Sequence, residues 1–157
     1  MNRCTSFYTS FEELKQNEQE NRDYRIHYRI GNSNIAILSI HGGEIEPGTM
    51  RIASAVAGKE HSFYAFEGIK PNNNFSLHIT STLFDEPTAM EIVCMAEIII
   101  SIHGCTGKEP MVYLGGLDVE LKHAILDELE RVDFPTNDCL DSRFSGVDQD
   151  NICNLCG

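Results

Sequence analysis

The sequence is 157 residues long, enough for one domain that buries about two thirds of its unfolded surface. Its apolar fraction of 41% is that of a globular chain and argues against disorder. A net charge of −12, from 24 acidic and 12 basic residues, argues against nucleic acid or an anionic membrane as a general partner.

In chain order, residues 1–10 read as an extended lead-in. Ser10 can cap a short helix through Phe11, Leu14 and Lys15, with Glu12 and Glu13 in its first turn. Tyr24, Ile26, Tyr28 and Ile30 alternate on one face of a half-exposed strand, placed at a sheet edge. After the turn Gly31-Asn32-Ser33-Asn34, the Ile-rich run Ile35 to Ile40 reads as a buried strand. Thr49 can cap the next helix, whose apolar face holds Ile52, Ala53 and Val56 and which stops at Gly58. Ser62 to Phe66 is a third strand and Ser76 to Thr80 a fourth. Asp85 caps a helix with Pro87 in its first turn and Met90, Ile92, Val93 and Met95 among its apolar residues. Glu97 to Ile102 is a fifth, β-branched strand and Met111 to Leu114 a sixth. Leu117 to Val132 is an amphipathic helix with Asp118 as cap and Leu121, Ala124, Ile125, Leu126 and Leu129 inward. From Phe134 onward the sequence is polar, with turn residues and little periodicity. Strands alternating with helices predict an α/β fold with an open mixed sheet flanked by helices, spanning residues 1–157 as one domain.

No apolar run approaches the roughly 20 residues of a spanning helix. The polar N-terminus carries no visible signal peptide, so a cytoplasmic location with reduced thiols is expected. Of the cysteines at 4, 94, 105, 139, 153 and 156, only Cys153 and Cys156 form a C-x-x-C. One such pair lacks the second pair a structural zinc site needs, and these read as tail cysteines.

The chemistry concentrates at two strand ends. His41-Gly42-Gly43-Glu44-Ile45-Glu46-Pro47-Gly48-Thr49 follows the second strand, and His103-Gly104 follows the fifth. Loops at the carboxyl ends of strands are where open α/β sheets place ligands. If the two strands are neighbours, His41 and His103 meet there. With one carboxylate, from Glu44 or Glu46, they supply two nitrogens and an oxygen, the ligand count of a catalytic zinc site. His78, in Leu77-His78-Ile79, either hydrogen-bonds within the fold or lines a cleft. His61 and His123 read as surface residues, and His27 as facing solvent.

The segment His41 to Thr49 resembles the H-G-G-x-I-E-P-G-T signature of the phage-type poly-γ-glutamate hydrolase family. Phe63-Tyr64-Ala65-Phe66-Glu67-Gly68, Leu77-His78-Ile79-Thr80-Ser81, Phe84-Asp85-Glu86-Pro87, His103-Gly104 and Val112-Tyr113-Leu114-Gly115-Gly116 match it in order. The resemblance implies a small zinc peptidase with a zinc-carboxypeptidase-like core, cutting the γ-glutamyl amide bonds of poly-γ-glutamate. It implies His41, Glu46 and His103 as zinc ligands, because the position of Glu46 is fixed in the family and that of Glu44 varies. The H-x-x-E spacing of the carboxypeptidases would choose Glu44 instead. The family pattern continues past the Asn151-Ile152-Cys153-Asn154 equivalent into a strand carrying a glutamate suited to proton transfer. This sequence ends at Gly157, so the expectation is a core lacking that C-terminal strand, with activity weakened or lost, or completed by pairing with another chain. Glu44 is then the candidate left to move the catalytic proton. The substrate is a polyanion and the chain is acidic, so local cations must bind it. Arg51, Lys108 and Arg143 are candidates, with His78 lining the cleft.

Overall fold

Four strands build the main sheet of the computed structural model, which describes residues 7–138 and 144–155. They are β1 (Tyr24–Arg29), β2 (Ile35–Gly43), β3 (Ser62–Gly68) and β4 (Ile98–Ser101), in the order β1-β3-β2-β4. β2 pairs in parallel with β3 and β4, and β1 runs antiparallel along β3 at one edge. The expected mixed sheet is therefore present, with the strands preceding His41 and His103 side by side and parallel.

Helices cover both faces. The helices are α1 (Phe11–Asn17), α2 (Thr49–Ala57), α3 (Pro87–Met95) and α4 (Val119–Arg131). Alternation along β2 and β3 sorts their side chains. Ala36, Leu38, Ile40, Tyr64 and Phe66 pack with Phe11 and Leu14 of α1 and Ala89, Ile92 and Val93 of α3. Ile37, Phe63 and Ala65 pack with Ala53 and Ala57 of α2. A strand buried on both faces has no polar side to show, which is why β2 reads as a continuous apolar run.

Several local expectations are corrected. Residues 76–80 do not form a strand. Asn73 sits in the left-handed region at φ 57°, and a 3₁₀ turn follows over Asn74–Leu77. The Ser76 amide and hydroxyl both donate to the Asn73 carbonyl, at 3.1 and 2.8 Å, which closes the turn. Gly48, not Thr49, holds the cap position of α2, with φ at +97°. Ile52 and Val56 of that helix are exposed, and Thr49, Ala53 and Ala57 face the sheet. Small residues let the helix axis approach the strands closely. Glu86, not Asp85, caps α3 by accepting from the Ala89 amide at 2.9 Å. Asp85 instead accepts from the Phe11 amide at 2.5 Å and ties α1 to α3.

The fifth predicted strand contracts to β4. The sixth becomes β5 (Val112–Leu114), which leaves the main sheet and pairs in parallel with an unpredicted β6 (Thr136–Asp138). Beyond it, Ile152 opens a 3₁₀ turn over Ile152–Asn154, is fully buried in the core, and donates its amide to the Ser81 carbonyl at 3.0 Å. His27 does not simply face solvent: its Nε2 lies 2.8 Å from Glu67 Oε2. Residues 1–6 of the 1–10 lead-in, Arg143 and Cys156 lie outside the described residues. Among the described residues, no helix is long and apolar enough to cross a membrane.

Candidate metal centre

β2 carries His41 past the end of its ladder with β4, and the next residues fold back. The Glu46 amide donates to the His41 carbonyl at 2.9 Å, closing a tight loop. Gly43 makes this possible: its φ is +65°, and a Cβ there would lie 2.4 Å from the Gly68 carbonyl oxygen. Ile45 is buried and anchors the loop. Thr49, at the start of α2, donates its hydroxyl to the Glu46 carbonyl at 2.8 Å and accepts from Ser39 at 3.0 Å. The loop is therefore held from both ends, which aims the Glu46 side chain at His41.

β4 delivers His103 to the same place. The Ile102 amide donates to the Leu38 carbonyl at 2.8 Å and keeps the chain beside β2 for one more residue. Gly104 then lies against Glu46, with room for no more than a tight Cβ, 3.1 Å from the Glu46 Cβ. Its amide donates to Glu46 Oε2 at 2.8 Å.

Three side chains converge, offering two imidazole nitrogens and both carboxylate oxygens of Glu46. His41 Nδ1 is 3.2 Å from Glu46 Oε1 and 3.2 Å from His103 Nδ1, and His103 Nδ1 is 3.4 Å from Glu46 Oε2. The far nitrogens are occupied. His41 Nε2 lies 2.8 Å from the Ile79 carbonyl, which can only accept, so Nε2 carries the hydrogen and neutral His41 presents a lone pair at Nδ1. His103 Nε2 lies 3.0 Å from Ser101 Oγ, which leaves its Nδ1 facing the cluster. Outer partners of this kind fix the orientation of metal-binding imidazoles.

Burial opposes ionisation of Glu46. The His103 and His41 imidazoles beside it and the Gly104 amide outweigh it and hold the carboxyl well below the usual carboxylate range. His78 moves the other way. Burial first, then the histidines packed beside it, push its pKa down to about 4, so it is neutral near pH 7.

His78 also belongs to a possible metal-holding group, since donor atoms of His41, Glu46 and His78 lie within 4.8 Å of one another. The two triads share His41 and Glu46 and differ in the second histidine. Ring geometry separates them. His78 stacks on His41 with centroids 4.0 Å apart and planes 25° apart. An imidazole lone pair lies in the ring plane, so two stacked rings cannot both aim at one ion about 2.0–2.1 Å away. His41 and His103 meet edge to face at 63°, and their in-plane lone pairs can converge.

The sequence matches the poly-gamma-glutamate hydrolase family over residues 8–157. The chain belongs to that family. Similar proteins include the UPF0714 protein YndL of Bacillus subtilis strain 168, 39% identical over 150 residues that cover 94% of this chain and 58% of YndL. The SPbeta prophage-derived UPF0714 protein YoqZ of the same strain is 38% identical, over 94% of this chain and 53% of YoqZ. The chain thus spans little more than half the length of these curated relatives. Among solved structures, a bacteriophage poly-gamma-glutamate hydrolase superposes with a TM-score of 0.92 at 33% identity, covering 97% of this chain and 74% of its own. A structure described as zinc-free apo YndL superposes with a TM-score of 0.91 at 38% identity, over 97% and 75%.

Of the remaining residues singled out in the sequence, Glu44 is exposed, and among the described residues its carboxylate makes no hydrogen bond or ion pair. Arg51 is exposed in the first turn of α2, and Lys108 is exposed on the loop after His103. Arg143 lies outside the described residues. His78 is only 8% exposed, sandwiched between His41 and Phe75, which leaves little of it for a substrate. The Ile79 carbonyl, Ser101 and the Gly104 amide went unnoticed in the sequence. Only the glycine following His103 gave any sign of that close approach.

Proposed function

We propose that this poly-gamma-glutamate hydrolase family member binds zinc through His41, Glu46 and His103 and hydrolyses γ-glutamyl amide bonds of poly-γ-glutamate. The observation that carries this reading is the convergence of three side chains: the two Nδ1 atoms are 3.2 Å apart, and each lies 3.2–3.4 Å from one of the two Glu46 carboxylate oxygens. A tetrahedral ion with bonds of about 2.0–2.1 Å requires ligand atoms roughly 3.3–3.4 Å apart. Two neutral nitrogens and one carboxylate leave one tetrahedral position for a water or substrate oxygen. Bound zinc supplies a Lewis acid for the amide carbonyl and lowers the pKa of water. The chain's own part is to keep Glu46 ionised, hold His41 in its Nε2–H tautomer, and bring substrate in. Glu44 is our candidate for moving the proton to the leaving nitrogen, since it projects from the same loop into solvent. Arg51 and Arg143 are our candidates for the polymer's free carboxylates. The acidic surface opposes a polyanion only over about 8 Å at physiological salt.

A second reading is zinc binding without turnover. It is favoured by the Glu44 carboxylate, which among the described residues makes no hydrogen bond or ion pair with the three converging side chains. One experiment addresses both: metal content and polymer length after incubation with zinc, for the wild type, His41→Ala, Glu46→Gln and Glu44→Gln. The expected result is loss of metal in the first two variants, and in Glu44→Gln retained metal with turnover lowered by about 10²-fold or more. Metal loss in Glu44→Gln greater than in Glu46→Gln would overturn the ligand assignment. Full zinc occupancy with unchanged polymer length in the wild type would establish the second reading.

A further inference from the structure

Phe75, His78 and His41 form a continuous column of rings. Phe75 and His78 are 5.2 Å apart at 26°, and His78 and His41 are 4.0 Å apart at 25°. The column rests on the 3₁₀ turn at Asn74–Leu77, which is pinned from outside. Asn74 accepts from the Lys70 amide at 2.8 Å and donates to its carbonyl at 2.7 Å. The Lys70 ammonium bridges Ser76 and Glu18, at 3.1 and 2.8 Å. The residue after His78 is Ile79, whose carbonyl takes the His41 Nε2–H. One short segment therefore grips His41 twice, at its ring face and at its far nitrogen. A carbonyl alone fixes one ring atom and leaves the ring free to swing about that bond. A parallel plate against the face removes this freedom.

We propose that His78 is a positioning residue, a flat plate that locks the plane of His41 so that Nδ1 points at Glu46 and His103, and that it raises zinc affinity without being a ligand. This rests on the zinc site proposed above. An aliphatic filler would occupy the same volume but would not set the ring plane. Stacked rings prefer defined offsets, which gives the contact its directionality. Phe75, at the outer end, holds His78 in turn and closes the column on the solvent side.

The test uses zinc affinity by chelator competition and the visible spectrum of the cobalt(II)-substituted protein, for the wild type, His78→Ala, His78→Phe and His103→Ala. His78→Ala is expected to weaken zinc binding about tenfold, the low end for loss of a group that orients a ligand. His78→Phe keeps the plate and is expected to restore affinity to within about threefold of wild type. The cobalt spectrum at saturation stays unchanged in both. If His78→Phe loses metal as completely as His103→Ala, or shifts the cobalt bands, then His78 is a ligand and the proposal is wrong. Unchanged affinity in His78→Ala also overturns it. If instead His103→Ala binds zinc like the wild type, the metal assignment has failed, and the plate is judged on the metal-free protein. There, imidazole ¹⁵N shifts at about pH 8, where free histidine is neutral, should show His41 as one fixed Nε2–H tautomer in the wild type and His78→Phe. In His78→Ala they should be averaged. A fixed tautomer in His78→Ala rejects the plate on its own terms.

Discussion

Residues 7–104 and residues 105–155 use their apolar side chains differently. In the first region Leu14, Leu38, Ile40, Tyr64, Phe66 and Ile79 are fully enclosed. In the second, among the described residues, only Ile152 and Lys122 are buried. The second region is not poor in apolar residues. α4 has its Asp118 cap, with Oδ1 accepting from the Leu121 amide at 2.9 Å, and a clear apolar stripe. Yet Leu121, Ile125, Leu126 and Leu129 are only half-buried, while Leu117, Val119, Val132 and Phe134 are exposed. An amphipathic pattern states which face of a helix prefers burial. It does not supply the surface to bury it against. The three converging side chains, His41, Glu46 and His103, all stand on the well-buried region, where strands in a paired sheet can hold ring positions to within fractions of an ångström.

The largest expected effect breaks this comparison if it fails. Phe66 stacks on Tyr24 at 5.0 Å and meets Phe11 and Phe84 edge to face. Phe66→Ala leaves a cavity that its rigid neighbours cannot fill, at a cost of about 3–5 kcal/mol. Leu126→Ala on half-buried α4 should cost about 1 kcal/mol or less, because solvent already reaches the site. Urea unfolding of both variants measures the gap. Equal costs would mean that α4 is as well packed as the sheet.

Acid should weaken the first region before the second. In the metal-free protein His78 is held to a pKa of about 4, mainly by burial, against 6.5 for the free group. A depressed histidine binds fewer protons folded than unfolded at pH values between these two. Stability is therefore complete above about 6.5 and falls as pH drops toward 4, by up to about 3 kcal/mol. Glu46, also depressed, adds loss of the same sign that begins as pH falls into the ordinary carboxylate range, near its usual 4.5. Urea midpoints measured from pH 7 to 4 should fall in the wild type and fall less in His78→Phe. Parallel slopes in the two proteins would remove His78 as the cause.

Much of the fold and the candidate site was legible because the cues were local. Two apolar strands each ending in His-Gly announced a shared strand-end cluster, and β-branched runs at 35–40 and 98–102 announced buried parallel neighbours. The failures have physical causes. Leu77 and Ile79 alternate like a strand, but Asn73 in the left-handed region starts a turn there instead. Ile52 and Val56 outrank Ala53 in hydrophobicity, yet α2 lies so close to the sheet that alanines face it. β6 has the polar sequence Thr136-Asn137-Asp138 and stands in a small two-stranded pair, so no periodicity marked it. The stack of His78 on His41 joins residues 37 positions apart, a contact that no spacing rule encodes.

The smallest effect sharpens the comparison most, because it changes one hydrogen bond in each region. Ser10 caps α1 by accepting from the Glu13 amide at 3.2 Å, and α1 carries Phe11 and Leu14 into the core. Asp118 does the same for α4. Replacing either cap by alanine costs its helix about 1 kcal/mol. For α1 the helix cannot loosen without uncovering Phe66 and Tyr24, so Ser10→Ala should lower global stability by that full amount. For α4 little core is lost when the first turn frays, so the cost stays local. Asp118→Ala should leave the global urea midpoint nearly unchanged and speed amide exchange at Leu121 and Lys122 by about fivefold, the kinetic equivalent of about 1 kcal/mol. If Asp118→Ala instead shifts the global midpoint as far as Ser10→Ala, then α4 unfolds with the sheet. The two regions would then form one cooperative unit despite their unequal burial.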